Sequence, residues 1–356
     1  MANPWTRKNP FMSMWLSAAN KSAAAARGTA TRAAKRQAAT AQGDAMRTAR
    51  TLLATVLQQG EPPSGAGQWL SGIAMGAGGA RRWRLYRPPH AKFGERLPLM
   101  VMLHGCRQNA NLFATSTRMN AIAARERFLV LYPEQDRAAN AHGCWNWFDT
   151  SSGRAHREAA SIMSAIDQVC VLYSADRDRI ALAGMSAGAS MAALLALRQP
   201  HRFKAVIMHS GVPPGTAHSK LSAVSAMRGA RITKPLPPTA AAAGAGLPPL
   251  LVIHGREDTV VAPSNGQAAV KAWAEAAGAV GGPQRTLQRG KRHAAQVTDF
   301  KRGGSTAATL MEVATLGHAW SGGAAGAAYS DVRGPDASRM VWRFAQRQFE
   351  QPTIVR

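Results

Sequence analysis

Along the 356-residue chain, short unbroken apolar runs alternate with segments that read as helices. Leu99–Leu103 contains no polar residue, as a central parallel strand covered on both faces requires. Phe128–Tyr132 and Leu250–His254 repeat the pattern, and Arg179–Ala183, Phe203–His209 and Leu310–Ala314 read as further strands. Arg81–Tyr86 reads as an early edge strand. Helices are predicted over Ala155–Tyr173, Ala187–Leu197 and Ala337–Phe349. Such alternation predicts a mostly parallel central sheet with helices on both faces. Two stretches interrupt it. Pro213–Pro249, rich in Ala, Pro and Gly, reads as a loop insertion or lid. The basic stretch Arg285–Gly304 reads as a hairpin or a surface loop.

The junction of the Arg179–Ala183 strand with the helix after it carries the chemistry. Gly184-Met185-Ser186-Ala187-Gly188 places a Ser at the apex of a sharp strand-to-helix turn. A Cβ two residues to either side of that Ser would meet a neighbouring strand or helix, which is a mechanical reason for both glycines. The arrangement is the nucleophile elbow of an α/β-hydrolase. A Ser hydroxyl needs a general base, and the base needs an orienting carboxylate; in this fold they follow in the order Ser, acid, His. Asp258 lies just past the strand Leu250–His254 and its turn, and His318 lies in the loop after the last strand, in Leu316-Gly317-His318-Ala319-Trp320. Ser186, Asp258 and His318 are therefore the expected triad. Glu257 is a rival acid. His254 precedes the acid and reads as structural, His293 reads as a solvated loop residue, and neither Asp299 nor Asp331 has a comparable strand-end position. The oxyanion of an acyl-transfer intermediate needs two backbone N–H donors. The expected ones are Ala187, after the nucleophile, and Cys106, in the loop His104-Gly105-Cys106-Arg107-Gln108.

Composition adds an appendage and a charge. The formal net charge is +25, which favours anionic surfaces and polymers. Residues 1–60 hold nine Lys or Arg against a single acid, Asp44, and Ala dominates from Ala18 to Ala54. Phe11, Met14, Trp15 and Ala18 share one helical face. Residues 1–67 are expected to form a basic segment, helical or disordered, ahead of a catalytic domain over 68–356. Its functional reading is an anchor to a polymer granule, a membrane or another anionic surface. Aromatic residues are not interleaved with the basic run Arg27–Arg50, so nucleic-acid binding is not expected as the main function. Arg7 and Lys8 followed by Phe11–Leu16 make a poor secretory leader, and no stretch is apolar enough for a membrane span. Of the three cysteines, Cys170 reads as a buried small hydrophobe, while Cys106 and Cys144 can pair if the protein is exported. No metal-ligand spacing is present among Cys and His, and no cofactor is expected.

Longer motifs carry a resemblance. Leu103-His104-Gly105-Cys106-Arg107-Gln108, Tyr132-Pro133-Glu134-Gln135, Cys144-Trp145-Asn146-Trp147-Phe148, His254-Gly255-Arg256-Glu257-Asp258 and Gly317-His318-Ala319-Trp320-Ser321-Gly322-Gly323 make residues 80–350 resemble the polyhydroxybutyrate (PHB) depolymerase family of esterases. The resemblance implies an α/β-hydrolase with Ser186, Asp258 and His318 as its triad and Cys106 and Ala187 as its oxyanion donors. It places Trp145, Trp147 and Trp320 along the ester cleft. It also implies an ester substrate of the poly- or oligo-(3-hydroxybutyrate) type. Feruloyl and acetylxylan esterases share the fold, so plant-polymer or small esters are the alternative substrates. A surface-binding protein with a weak hydrolase body is the alternative of another class. The family is often extracellular, whereas neither a clear leader nor an added polymer-binding domain is expected here, which leaves an intracellular location open.

Overall fold

The computed structural model of the chain describes residues 67–236 and 246–350. The expected basic segment 1–67, apart from Gly67, lies outside the described residues. Among the described residues, eleven strands form one sheet. Its parallel centre runs in the order β4 (Leu129–Pro133), β3 (Leu97–Leu103), β5 (Ala175–Met185), β6 (Ala205–His209), β7 (Leu250–Gly255) and β11 (Ser305–Val313). All seven residues of β3 are buried. Its side chains alternate between two cores: Leu99, Val101 and Leu103 face one, Met100 and Met102 the other.

Helices cover both faces, as the alternation predicts. α3 (Arg154–Leu172), α4 (Ala187–Arg198) and α6 (Ser264–Ala277) pack into the first core through Ile162, Ile166, Met191, Val270 and Trp273. α1 (Ala110–Thr117), α2 (Met119–Glu126) and α7 (Ala337–Phe349) supply Phe113, Ile122, Val341, Trp342 and Phe344 to the second. Phe128 stacks on Trp342 with ring centroids 3.8 Å apart and planes 10° from parallel. Among the described residues no helix is long and apolar enough to cross a membrane.

Two expectations change and one is resolved. β2 (Arg81–Arg87) is not an edge strand, because β1 (Gln68–Ala74) pairs with it residue by residue and forms the edge. β1 buries only Leu70 and Ala74 and contains Ser71 and Gly72, so its apolar signal is faint. The Pro213–Pro249 insertion is not wholly loop: Ser219 caps a helix, α5 (Lys220–Met227), in a reciprocal box with Ser222, and Ala223 and Ala226 are buried. Residues 237–245 of that insertion lie outside the described residues. Of the two readings of Arg285–Gly304, the hairpin holds. After the two-residue β8 (Val280–Gly281), β9 (Arg285–Leu287) pairs antiparallel with β10 (Ala295–Arg302), which joins β11.

The stacked pair under α7 gives a test. Trp342 is buried and, among the described residues, its indole Nε1 has no hydrogen-bond partner. Trp342→Phe keeps the stack and removes that unsatisfied donor, so urea unfolding should move by less than about 1.5 kcal/mol. Trp342→Ala should cost about 3–5 kcal/mol. Equal losses in the two variants would show that the stack does not hold α7 to the sheet.

Candidate active site

The chemistry gathers at the carboxyl ends of β5, β6, β7 and β11. Ser186 sits between β5 and α4 at φ 56° and ψ −122°, a conformation costly for a residue with a side chain. A Cβ on Gly184 would lie 2.3 Å from Gly188 O, and one on Gly188 would lie 2.1 Å from Leu103 O, so each position has room only for hydrogen. Ser186 N–H donates to His209 O at 2.9 Å, and Ser190 N–H donates to Ser186 O at 3.1 Å.

Asp258 and His318 come together. His318 Nδ1 lies 2.8 Å from Asp258 Oδ2, and the N–H groups of Val260 and Val261 donate to Oδ1 at 3.0 and 2.8 Å. Burial by itself would raise the Asp258 carboxyl, but the His254 and His318 imidazoles and the Val261 N–H outweigh it and hold the group well below the usual carboxylate range. The rival Glu257 is exposed. His254 is structural, as expected: Nε2 donates to Val261 O at 2.9 Å and lies 3.5 Å from Asp258 Oδ2, bracing the acid's loop from behind. His293 is not solvated. It is largely buried between Thr315 Oγ1 at 2.7 Å and Asp331 at 3.3 Å, because the hairpin loop that carries it packs against the segments around Thr315 and Asp331–Arg333. Among the described residues, no hydrogen bond joins Ser186 Oγ to His318.

His209, which the sequence shows only as the end of a strand, links Ser186 to the loop that follows His318. Its carbonyl holds the Ser186 N–H, and its Nε2 accepts from Ser321 N–H at 3.1 Å, three residues beyond His318. Burial, with His254 and His318 nearby, pushes its pKa down to about 3, so the ring is neutral and Nε2 remains an acceptor. The ring stacks on Trp320 at 4.9 Å.

The loop after β3 approaches from the other side. A Cβ on Gly105 would lie 3.6 Å from Ser186 Cβ. Gly105 N–H donates to Gln108 Oε1 and Arg107 N–H to His142 O, while none of the described hydrogen bonds uses the Cys106 N–H between them. Ala187 is the first residue of α4, so its N–H has no intrahelical partner. Cys106 is disulfide-bonded to Cys144, and Cys170 is free and buried. A buried polar network backs the loop. Glu158 Oε2 accepts from Asn146 N–H at 2.8 Å, and Oε1 accepts from Asn146 Nδ2 and from Gln135 Nε2 at 2.6 and 2.8 Å. Gln135 Oε1 takes Arg81 Nη1 at 2.8 Å, and Gln135 N–H donates to His104 Nε2 at 3.1 Å. Trp145 Nε1 donates to His104 O at 3.0 Å, with the Arg81 guanidinium 5.1 Å from its ring centroid. These partners lie in five separate sequence segments; His104, Gln135, Trp145 and Asn146 fall within the motifs quoted above, whereas Arg81 and Glu158 carry no signal of their own.

A cavity of about 620 Å³ opens beside the elbow, lined by Ser186, Ala187, Cys106, Trp145, Trp147 and Phe148 and closed on another side by α5 through Ala223, Val224 and Met227. Trp145 and Trp147 are among its lining residues. Trp320 is not: it is fully buried, and its Nε1 is bound to Ser338 Oγ, so it packs behind His209 rather than along the cleft. Among the described residues no group of three or more His, Cys, Asp or Glu could hold a metal ion.

Against known families, residues 81–286 match the family described as esterase PHB depolymerase, over more than half the chain. The chain belongs to that family. Within the reach of this esterase family, poly(3-hydroxyalkanoate) depolymerase C of Paucimonas lemoignei is 33% identical over 175 residues, 47% of this chain and 42% of that protein. Feruloyl esterase B of Thermothelomyces thermophilus is 29% identical over 194 residues, 51% of this chain and 66% of that one. The chain thus spans less than two-thirds of either relative's length. The structure of an acetyl xylan esterase from Aspergillus awamori superposes with a TM-score of 0.59 at 20% identity, covering 71% of this chain and 94% of that one. The fold is that of the α/β-hydrolase esterases.

His104 makes the burial of this loop measurable. Burial pushes its pKa down to about 4, although its Nδ1 contact with Gly105 O opposes the shift. In the unfolded chain a His titrates near ~6.5, so between these values unfolding takes up a proton and stability falls as pH drops. At pH 5, wild-type unfolding should absorb about one more proton than His104→Gln unfolding, read by calorimetry in buffers of different ionisation enthalpy. Equal uptake would mean that the folded imidazole is already charged.

Proposed function

We propose that the protein hydrolyses carboxylic esters through an acyl-enzyme on Ser186. The observation that carries this reading is the 2.8 Å contact between Asp258 and His318, set at the sheet end that also bears the strained elbow. His318 takes the Ser186 proton as Oγ attacks the ester carbonyl. Asp258 holds the imidazole tautomer with Nδ1–H toward itself and Nε2 free for that proton. The Cys106 and Ala187 N–H groups receive the oxyanion, each worth about 2.7–4 kcal/mol in the transition state. His318 then protonates the leaving alkoxide, and water repeats the sequence to free the acid. A catalytic Ser–His hydrogen bond often tightens only with substrate bound, which accommodates its absence here.

The substrate reading is a polyester or oligoester of 3-hydroxybutyrate type, supported by the family, by the poly(3-hydroxyalkanoate) depolymerase relative and by the apolar, Trp-lined cavity. The feruloyl esterase relative supports plant-polymer esters as the second reading. Ser186→Ala should lower kcat by about 10⁴–10⁶-fold without unfolding the protein. The assay compares a p-nitrophenyl ester, 3-hydroxybutyrate oligomers, amorphous PHB and methyl ferulate. Release of 3-hydroxybutyrate that depends on Ser186 supports the first reading, activity on ferulate alone supports the second, and undiminished turnover by the variant would remove Ser186 from the mechanism.

The cavity is apolar within and basic at its edge, where Arg137, Arg154 and Lys220 are exposed. Arg154 lies 3.7 Å from Asp149, whereas Arg137 and Lys220 have no side-chain ion pair among the described residues. An ester that also bears a free carboxylate, as the end of a hydroxyacid oligomer does, suits that edge. Arg137→Ala/Lys220→Ala should lower kcat/KM for mono-p-nitrophenyl glutarate by about fivefold, an effect that fades in high salt, and leave p-nitrophenyl butyrate unchanged. Equal losses on both esters would count against charge recognition.

A further inference from the structure

A second cavity, of about 490 Å³, shares no lining residue with the first. It lies between α7 and the β9–β10 hairpin, over β7 and β11. Leu251, Val297 and Met311 from three strands, with Met340 and Phe344 from α7, give it an apolar floor. Its walls are arginine. Arg339, Arg343 and Arg347 follow one another at i, i+4 and i+8 and so rise from one stripe of the helix. Arg285, Arg289 and Arg292 face them from the hairpin side.

Little neutralises this charge. Asp299 is ion-paired with Arg285. Asp336 caps α7 through the Arg339 N–H and lies 3.8 Å from Arg118. Arg292 donates to the Val332 and Gly334 carbonyls. Among the described residues the side chains of Arg289, Arg339, Arg343 and Arg347 enter no ion pair or hydrogen bond. Long basic side chains can shield apolar surface with their methylenes. Shielding does not require that all the heads be guanidinium, nor that the carboxylates usually placed four residues away on a helix be missing.

We propose that this cavity binds an amphiphilic anion, with a carboxylate or phosphate head on a hydrocarbon body. Guanidinium forks match both head groups in bidentate geometry. The floor takes the body out of water, and the volume is that of a small-molecule site. An inorganic polyphosphate or a nucleic-acid backbone would meet the arginines and leave the floor unused, and a neutral lipid would do the reverse. Two sources share the required chemistry, a free long-chain acid and a phosphate-headed lipid fragment.

The test is calorimetric titration of the full-length protein with decanoate and decyl phosphate below their micelle concentrations, alongside butyrate, inorganic phosphate and decanol. At least one decyl anion should bind tenfold or more tightly than any of the three controls, and the tighter of the two identifies the source. Arg343→Ala/Arg347→Ala should weaken that binding by tenfold or more, and Arg343→Lys/Arg347→Lys by less. Both residues are exposed, so p-nitrophenyl butyrate turnover should be unchanged and reports that the variants are folded. The proposal falls if neither decyl anion binds or if butyrate or phosphate binds as tightly. It also falls if the Ala variant binds undiminished, which would place the ligand in the ester cavity instead.

Discussion

The backbone at Ser186 is the constraint on which the rest of the site depends. A non-glycine residue held at φ 56° and ψ −122° reverts to an ordinary conformation unless its surroundings forbid it. Here they do. Gly184 and Gly188 let β5, α4 and the end of β3 close to contact, and the His209 carbonyl ties down the Ser186 N–H. The same closure brings the Gly105 loop beside the nucleophile and starts α4 with its free N–H groups next to it. The proposed nucleophile, anion donors and base support are therefore products of one tight junction.

Much of this is legible in the sequence because the relevant signals are local. Leu99–Leu103 has no polar residue, and the pattern Gly-Met-Ser-Ala-Gly has steric meaning within five positions. Asp258 follows its strand by a few residues, and its partner is recognisable by chain order. Signals that depend on distant contacts are not legible. β1 has a weak alternation and acquires its place only by pairing with β2. His209 looks like an ordinary strand residue until the loop bearing Ser321 folds against it. Trp320 illustrates the reverse error, since an aromatic two residues from the base looks like a substrate contact but serves as the floor beneath His209. Helix α5 was hidden by the Pro- and Ala-rich composition around it.

Charge is distributed with a similar division of labour. The buried imidazoles His104 and His209 are kept neutral by desolvation, so the interior of the site carries its negative charge on Asp258 alone among these three. Apart from the buried Arg81, arginines border the cavities, at the edge of one and around the walls of the other. Part of the surplus of cations in the folded body thus borders concave surfaces, where anionic molecules can meet several of them at once.

The Glu158 carboxylate accepts from Asn146 twice and from Gln135 once, and Gln135 in turn meets Arg81 and His104. Arg81, Gln135, Asn146 and Glu158 are all buried, so each hydrogen bond lost in that chain leaves a polar group away from water. Changing Glu158 to an amide would set a donor against donors, and replacing the side chain of Asn146 or Gln135 would remove one of the three donors that hold the buried carboxylate. Arg81, Gln135, Asn146 and Glu158 are scattered over β2, two loops and α3, yet in the course of divergence they are bound to be kept or replaced as a set. A lineage that loses one member inherits pressure to rebuild the other three.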